Sequence, residues 1–423
     1  MTRSREVALC ALAGLMLASL LSIRIAAPWQ FVHDDNGAWY QAIATAHIRA
    51  GLSRTHGQDF WIRRSDGQLV PYLHHPPLLS LAIAGAYRLT GRSDPLITRL
   101  VPATFHMLGW VGFCVLAGRV FPNARGTRVL AAFLYALVPM SSFFGKMPDH
   151  EPIGLCWVVW GLVAVSALRV RRSRVGDPAD APPPAARGAW LAAGVFFWSM
   201  AGFSAWAAYA VWLAVGALLV LEWRRPASLK PMVSLACAGF GSLALVLAQI
   251  EWAGGLHSLA GAGGYWSSAL RDPVELARCL GRILQLHRIY FANLPAVLFL
   301  GWLVLAVRDE VRGRRESGSP QRLLLAGTAG CALWVLAFAG QAAVHGYTQF
   351  WLLPFESLAA ADATVRIWRS LGARRVLRAV VAVIAAAIVL ASTAVTLYQR
   401  YTRPGAYAVK TAAWLEATYM TRP

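Results

Sequence analysis

The chain alternates between long apolar stretches and short polar segments, many of them basic, along its 423 residues. The apolar stretches approach the roughly 20 residues that an α-helix needs to cross the hydrocarbon core of a bilayer. The pattern therefore predicts an all-α polytopic membrane protein with about eleven transmembrane helices. The predicted spans are 7–25, 100–120, 129–144, 152–168, 189–205, 206–221, 232–250, 294–307, 323–339, 350–361 and 376–397.

One apolar stretch is too short to be a crossing. LLSLAIAGAYRL, residues 78–89, would extend only about 18 Å as a helix, against a hydrocarbon core of about 30 Å. We therefore predict that it forms a helix in the membrane interface. The single transmembrane domain, 1–423, is then divided by a first external loop 26–99, a second external loop 145–151, a basic, Pro-rich cytoplasmic loop 169–188, an external loop 251–293 and a short external tail 398–423.

The arginines indicate which way the spans run. Basic flanks stay on the cytoplasmic side of a membrane, and the first span follows the segment TRSRE. With residues 78–89 left out of the count, the basic segments RVFPNARGTR and RVRRSR also fall inside. The remaining loops then face the periplasm or the exterior of a cell (inner) membrane. A signal peptide cleaved near Ala26 is the alternative for residues 7–25, but their length favours a transmembrane helix.

Composition narrows the class of protein. The chain is 57% hydrophobic and 14% charged, whereas charged residues make up about a quarter of a soluble domain. Its net charge of +20 does not indicate a nucleic-acid partner, because the arginines are dispersed in short loops, as orientation of membrane spans requires. The six cysteines include no CxxC pair, so neither a disulfide framework nor a thiolate metal site is expected. Membrane lipids are the expected surroundings.

Two short acidic motifs fall on the predicted outer side. HDDNGAWY places Asp34 and Asp35 side by side after the first span, and GKMPDHEP places Asp149 and Glu151 after the third. Titratable groups gathered on one face indicate an outward-facing reaction centre, whereas polar loops as such give no reason for a one-sided distribution of histidine. The histidines on this side are His33, His47, His56, His74, His75, His150, His257, His287 and His345.

The residue types suggest roles. Asp149 and Glu151, two residues apart, are suited to sharing a divalent cation such as Mg²⁺, Mn²⁺ or Zn²⁺. Helix capping is the plainer explanation of Glu151. Lys146, beside them, is suited to holding a phosphate as a point charge. His74 and His75 precede two prolines at the start of the interfacial helix, where they contact a phosphate or metal or simply occupy the headgroup zone.

The order of these motifs resembles the polytopic GT-C glycosyltransferases that use lipid-linked sugars. These include the protein O-mannosyltransferase-like family and the transferase that adds aminoarabinose to lipid A. The shared order is an apolar span, an acidic pair, a long external loop with HHPP, two arginine-flanked spans and a K-x-x-D-x-E turn, over residues 29–168. A fainter match covers HGYTQFWLLP, residues 345–354.

The resemblance implies a GT-C fold and a reaction, the inverting transfer of a sugar from a polyprenyl-phosphate donor to a glycan, lipid or protein acceptor. A first-loop aspartate would be the base. The second acid of the pair is Asp where the family usually has Glu, so the base is left open between Asp34 and Asp35, with Asp35 preferred. The second acidic motif would be Asp149 with Glu151, at a divalent cation. The candidates for contact with the donor phosphate are Lys146, His74, His75, His345 and Tyr347.

Other functions use similar features. A transporter or flippase of lipid-linked sugars predicts ionisable residues along a path inside the spans, whereas here His106 and Glu356 are the exceptions. An oligosaccharide ligase of another membrane fold would use the same donors, but its large external loop is expected late in the chain. A purely structural role in the membrane would not explain why the histidines are predicted on one side.

Overall fold

The residues that the computed structural model describes form α-helices and one small antiparallel hairpin. They are residues 1–31, 33–62, 69–72, 75–169, 184–222, 229–257, 259, 263–264, 267–313, 319–372 and 375–402. The helices are α1 (Arg3–Ser22), α2 (Asp34–Ala50), α3 (Leu52–Thr55), α4 (Leu78–Thr90), α5 (Pro95–Val120), α6 (Arg125–Leu137), α7 (Pro139–Phe144), α8 (His150–Arg169), α9 (Pro184–Ser204), α10 (Ala207–Glu222), α11 (Leu229–Ala253), α12 (Pro273–Phe291), α13 (Asn293–Val311), α14 (Pro320–Ala337), α15 (Ala339–Val344), α16 (Leu353–Ser370) and α17 (Arg375–Thr402), with 3₁₀ turns at Ser268–Arg271 and Gly346–Leu352. The strands β1 (Phe60–Ile62) and β2 (Leu69–Pro71) pair with Trp61 opposite Val70.

Within these ranges, five helices are long and apolar enough to cross a membrane: α1, α5, α8 and most of α11 and α17. A sixth span results if α12 and α13, which meet at a bend of 116°, count as one. Three further apolar helices, α4, α10 and most of α14, are shorter. The predicted all-α, multi-pass class is confirmed, while the number of about eleven crossings stays a prediction.

The segment predicted as the third span, 129–144, is divided in two. Helix α6 ends at Leu137 and α7 begins at Pro139, with Val138 extended between them at φ −65° and ψ 143°. The proline ring disfavours helical geometry in the residue before it, which explains the break. Helix α7 then leads into the turn 145–149, which carries the start of the second acidic motif.

The first external loop folds into a unit with its own apolar core. Tyr40 and Ile43 of α2 and Leu79 and Ile83 of α4 pack together with Ile153 of α8. The helix predicted at 78–89 is present as α4, which has 13 residues. The acidic pair that follows the first span forms the first turn of α2. This packing places the start of α2 beside the start of α8.

Ion pairs join the helix ends that lie away from the acidic motifs. Arg128 in α6 pairs with Glu6 in α1 at 2.5 Å, and Arg169 at the end of α8 pairs with Glu222 at the end of α10 at 2.7 Å. Because α8 runs for 20 residues from His150, its ends lie about 28 Å apart. The acidic motifs and the basic helix ends therefore lie at opposite ends of the bundle.

Candidate functional site

The acidic pair begins α2, and its first carboxylate is tied to the surrounding chain. His33 precedes the helix in the left-handed conformation, at φ 70°. One oxygen of Asp34 accepts hydrogen bonds from the backbone N–H groups of Gln30 and Phe31, at 2.8 and 2.9 Å. Its other oxygen pairs with Arg99 of α5 at 3.1 Å. The Asp34 carboxylate therefore holds together the connection between α1 and α2 and the start of α5.

The second carboxylate, that of Asp35, has no such tie. In the described part of the chain, the groups that donate to it are backbone N–H groups of its own helical turn, those of Asp35 and Asn36. Partial burial raises the pKa of Asp35 above that of an ordinary aspartate, and these N–H groups and His345 oppose the rise. A half-buried carboxylate that is not tied to another side chain and is less acidic than normal has the properties of a general base.

The residues after the pair, Asn36 and Gly37, link it to its surroundings. Asn36 Nδ2 donates to Asp149 Oδ2 at 2.9 Å, across 113 residues of sequence. Gly37 lies against the Trp29 ring, where an added Cβ atom would come within 2.1 Å of Cζ3. The structure thus explains both residues of the NG dipeptide. Asn36 bridges to the second acidic motif, and at position 37 only glycine permits the close approach of the Trp29 ring.

The second acidic motif is buried around the start of α8. Asp149 is 5% exposed and Glu151 is 8% exposed, and their side chains share a hydrogen bond. Burial raises the pKa of Asp149 to about 6, although hydrogen bonds from Glu151, the His150 N–H and Asn36 oppose the rise. Two carboxyl groups in contact keep a proton between them unless a cation takes its place.

Asp149 and Glu151 are the residues that would hold a divalent cation at this junction. Glu151 Oε2 is buried without a hydrogen-bond partner, and Asp35 is close enough for its charge to raise the pKa of Asp149. Among the residues whose placement is described, no three His, Cys, Asp or Glu side chains are arranged to hold a metal ion. The pair therefore suits a cation such as Mg²⁺, which takes one or two carboxylates and completes its shell with water and substrate phosphate.

A basic pocket lies beside Asp34. Its lining includes Arg24, Asp34, Arg99, Lys146 and Tyr401. Lys146 Nζ donates to the backbone carbonyl of Ile23 and lies 4.8 Å from the centre of the Tyr401 ring. Burial and the neighbouring charge of Arg99 lower the pKa of Lys146 to about 7, against the opposing effect of Asp34. Three cationic side chains around one carboxylate give this small cavity, of about 20 Å³, a net positive lining.

His345 and Tyr347 approach the acidic residues from the 3₁₀ turn 346–352. The Tyr347 ring centre lies 5.1 Å from that of His345. Burial raises the pKa of the Tyr347 hydroxyl, and the nearby Asn36 side chain opposes that rise. The charge of Asp35 acts on His345, whose pKa burial nevertheless lowers. Neither residue is in the lining of the basic pocket, so both belong to the surroundings of Asp35.

The HHPP motif contributes one residue that the structure describes. His74 lies outside the described residues. His75 stacks on His150, with ring centres 4.4 Å apart, and the Tyr40 hydroxyl is hydrogen-bonded to His150 Nε2. The stack joins the first external loop to α8 next to Asp149. His75 is not among the residues that line the basic pocket.

Three residues of the basic pocket were not predicted from the sequence: Arg24, Arg99 and Tyr401. Arg24 and Arg99 stand at the ends of predicted spans, where arginine is common because it orients the span. Tyr401 looks like an ordinary interfacial aromatic residue for the same reason. No local pattern distinguishes the three, because only folding brings residues 24, 99, 146 and 401 together.

No protein-family model and no curated protein matches the chain, but solved structures do. The oligosaccharyltransferase of Archaeoglobus fulgidus in its apo form matches with a TM-score of 0.61 and 14% identity, over 97% of this chain and 56% of that one. The same enzyme in complex with Zn and sulfate gives 0.59 and 16%, over 96% and 53%. ArnT from Cupriavidus metallidurans bound to undecaprenyl phosphate gives 0.60 and 16%, over 98% and 70%.

These likenesses establish the fold. At this level of identity they carry no activity across, and the chain spans little more than half the length of the oligosaccharyltransferase. Both of the matched proteins are GT-C membrane glycosyltransferases, and the match covers nearly all of this chain. Together with the apolar helices, it identifies the chain as a multi-pass membrane protein with the GT-C fold.

Proposed function

We propose that the chain is a membrane glycosyltransferase that moves a sugar from a polyprenyl-phosphate-linked donor to an acceptor hydroxyl or amine. The observation that carries this proposal is that the first turn of α2 contacts both the basic pocket and the buried acidic pair. Asp34 lines the basic pocket, Asn36 contacts Asp149 of the acidic pair, and Asp35 between them has a carboxylate that no other described side chain ties down.

The donor phosphate is proposed to bind in the basic pocket. Arg24, Arg99 and Lys146 supply positive charge there, and among the described lining residues Asp34 alone carries a negative charge. Arginine and lysine are the usual partners of phosphate groups in proteins. ArnT, of the same fold, was solved bound to undecaprenyl phosphate, which supports a polyprenyl phosphate as the class of ligand.

The sugar and the acceptor are proposed to lie between the pocket and the acidic pair. As the acceptor oxygen or nitrogen bonds to the anomeric carbon, Asp35 takes the proton that the acceptor loses. The bond from that carbon to the phosphate oxygen breaks with its electron pair, and polyprenyl phosphate is left in the basic pocket. Attack opposite the phosphate inverts the anomeric configuration. His345, on which the charge of Asp35 acts, and Tyr347, near Asn36, are proposed to contact the acceptor there.

Asp149 and Glu151 are the residues that would hold a divalent cation. When bound, the cation would stabilise negative charge on the donor phosphate. The oligosaccharyltransferase complex with Zn and sulfate and the unpaired Oε2 atom of Glu151 support this assignment. Without a cation the two carboxyl groups share a proton, and Asn36 keeps Asp149 directed towards α2.

The site is proposed to face the periplasm or the cell exterior. The positive-inside rule keeps basic loops in the cytoplasm. Arg125, Arg128 and Arg169 lie at the bundle end opposite the acidic motifs. This distribution supports a donor that is used at the outer surface of the cell (inner) membrane.

Purified protein incubated with several radiolabelled polyprenyl-phosphate sugars, and with an extract of membrane glycans and lipids as acceptor source, tests the proposal. We expect the label of one donor to move to a product that partitions away from the lipid. Protein carrying Asp35→Asn is the matched control and should leave that label on the lipid. Release of no label from any donor would contradict the proposal, and movement of intact labelled lipid across vesicles would favour a flippase instead.

A further inference from the structure

The 3₁₀ turn 346–352 is held on the side of α12 by buried contacts that the proposed reaction does not use. Gln349, in this turn, is 1% exposed. Both ends of its amide are engaged, since Nε2 donates to the Ile283 carbonyl at 3.1 Å and Oε1 lies 2.9 Å from His287 Nδ1. Ile283 and His287 both belong to α12, so the turn is bound to one face of that helix.

The orientation of Gln349 determines where His287 carries a hydrogen. Because the amide nitrogen donates to Ile283, the amide oxygen faces His287, and Nδ1 must be the N–H that donates to it. The other ring nitrogen, Nε2, lies 3.1 Å from Glu356 Oε2 in α16. Glu356 is 1% exposed. His287 thus connects α12 with the turn on one side and with α16 on the other.

Burying two ionisable side chains such as His287 and Glu356 is a poor way to gain stability alone, because apolar residues of similar volume often stabilise the same place as well or better. The two hydrogen bonds of Gln349, to Ile283 and His287, do constrain direction, because such bonds weaken steeply when misaligned. Glu356 lies against the other side of the His287 ring. The turn that Gln349 holds carries Tyr347, whose hydroxyl lies near Asn36, the residue after Asp35.

We infer that His287 is a positioning residue for sugar transfer. With Glu356 and Gln349 it forms a clamp, defined by these three residues, that keeps Tyr347 near Asn36. The inference rests on the proposed function, but the clamp itself is a feature of the fold. The basic pocket is lined by the segment between α1 and α2, the start of α2, α5, the end of α7 with the turn after it, and α17. None of these contains a clamp residue, so we expect loss of the clamp to leave the pocket in place. Such a loss should lower kcat and leave the KM for the donor unchanged.

Replacing both ionisable side chains, His287→Leu together with Glu356→Leu, tests the positioning role without leaving one buried ionisable group unpaired. We expect kcat to fall about 10- to 100-fold, because a displacement of about 1 Å costs up to about 100-fold, while the melting temperature is not lowered. Glu356→Gln, whose amide N–H can donate to the unprotonated Nε2 of His287, should keep most of the kcat. The matched control, Arg169→Met with Glu222→Leu, removes a buried ion pair at the far end of the bundle and should leave kcat unchanged.

Hydrogen exchange of residues 345–352 is a readout that does not depend on activity. We expect faster exchange there in the double leucine variant and in Gln349→Met, which tests the clamp if the double variant does not fold. A wild-type kcat in either variant, or an equal loss of kcat in the control, would overturn the inference. If the wild-type protein transfers no sugar while the variants still exchange faster, the proposed function fails and the clamp remains.

Discussion

At the scale of single residues, two neighbouring aspartates differ because their side chains meet different groups. Successive residues on a helix point about 100° apart. Asp34 therefore turns towards Arg99 and the backbone before the helix, whereas Asp35 turns towards His345 and the acidic pair. The Asp34 carboxylate holds the fold, and the Asp35 carboxylate is the one that we propose as the base.

Substituting each aspartate should separate these two roles. Asp35→Asn removes the proposed base, so we expect kcat to fall about 10²- to 10⁴-fold with an unchanged melting temperature. Asp34→Asn loses the ion pair with Arg99, so we expect a lower melting temperature and a smaller loss of activity. Turnover and thermal unfolding of the two purified variants give the comparison. Near-normal turnover of Asp35→Asn with the true donor would rule out its role as the base.

The pKa of Lys146, about 7, predicts a pH dependence of donor binding. The protonated form attracts phosphate, and its fraction falls as the pH rises through about 7, so the KM for the donor should rise above that pH. Lys146→Arg stays charged throughout this range and should flatten the dependence. The measurement is KM against pH for both proteins, and an identical rise in the arginine variant would show that another group is responsible.

At the scale of elements, the site exists because the starts of α2 and α8 meet. The hydrogen bond from Asn36 to Asp149 and the stack of His75 on His150 both cross this junction. The break at Val138 and the short α7 set the path of the chain into it. The convergence of these helices brings the two acidic motifs together, as the proposed action on one substrate requires.

The acidic pair of this junction should behave as a ligand and not as a helix cap. We expect Asp149→Asn and Glu151→Gln to reduce turnover strongly without lowering the melting temperature, because each removes a carboxyl group that burial disfavours when ionised. Loss of a cap would instead cost about 1 kcal/mol of stability and spare activity. Turnover across a titration with Mg²⁺ or Mn²⁺, beside thermal unfolding, decides between them. Full activity of Asp149→Asn in the presence of a chelator would remove the cation from the proposal.

At the scale of the whole molecule, the bundle has one acidic, histidine-rich end and one basic end. The ion pairs of Arg128 and Arg169 mark the basic end. The end with Asp35 and Asp149 also has the basic pocket, at a short distance from where α1 and α17 end. A lipid-anchored donor would meet its reaction centre where the chain leaves the bilayer.

Labelling of single cysteines tests this polarity. Arg92→Cys, in the first external loop, should react with an impermeant maleimide from outside intact cells, whereas Arg125→Cys should react only after the membrane is opened. Both positions are exposed, and Cys237, which is also exposed, is replaced by serine in both proteins. Labelling of both positions from the same side would refute the orientation and, with it, the outward-facing site.

The sequence by itself determined the membrane class, the helical nature of nearly every apolar stretch and the short helix predicted at 78–89. These follow from local quantities, because a backbone in lipid must satisfy its own hydrogen bonds and apolar length sets what can cross. It also identified Asp34, Asp35, Asp149 and Glu151 as candidates, since carboxylates are scarce in such a chain.

Only the tertiary structure decided which aspartate is untethered, that Tyr347 lies near Asn36, and that residues 24, 99, 146 and 401 line one pocket. The clamp of His287, Gln349 and Glu356 is likewise invisible in the linear chain. Each of these contacts joins residues that are tens to hundreds of positions apart. Local periodicity carries no record of them, because the packing of helices against one another, and not the conformation of any one helix, sets the distances between their side chains.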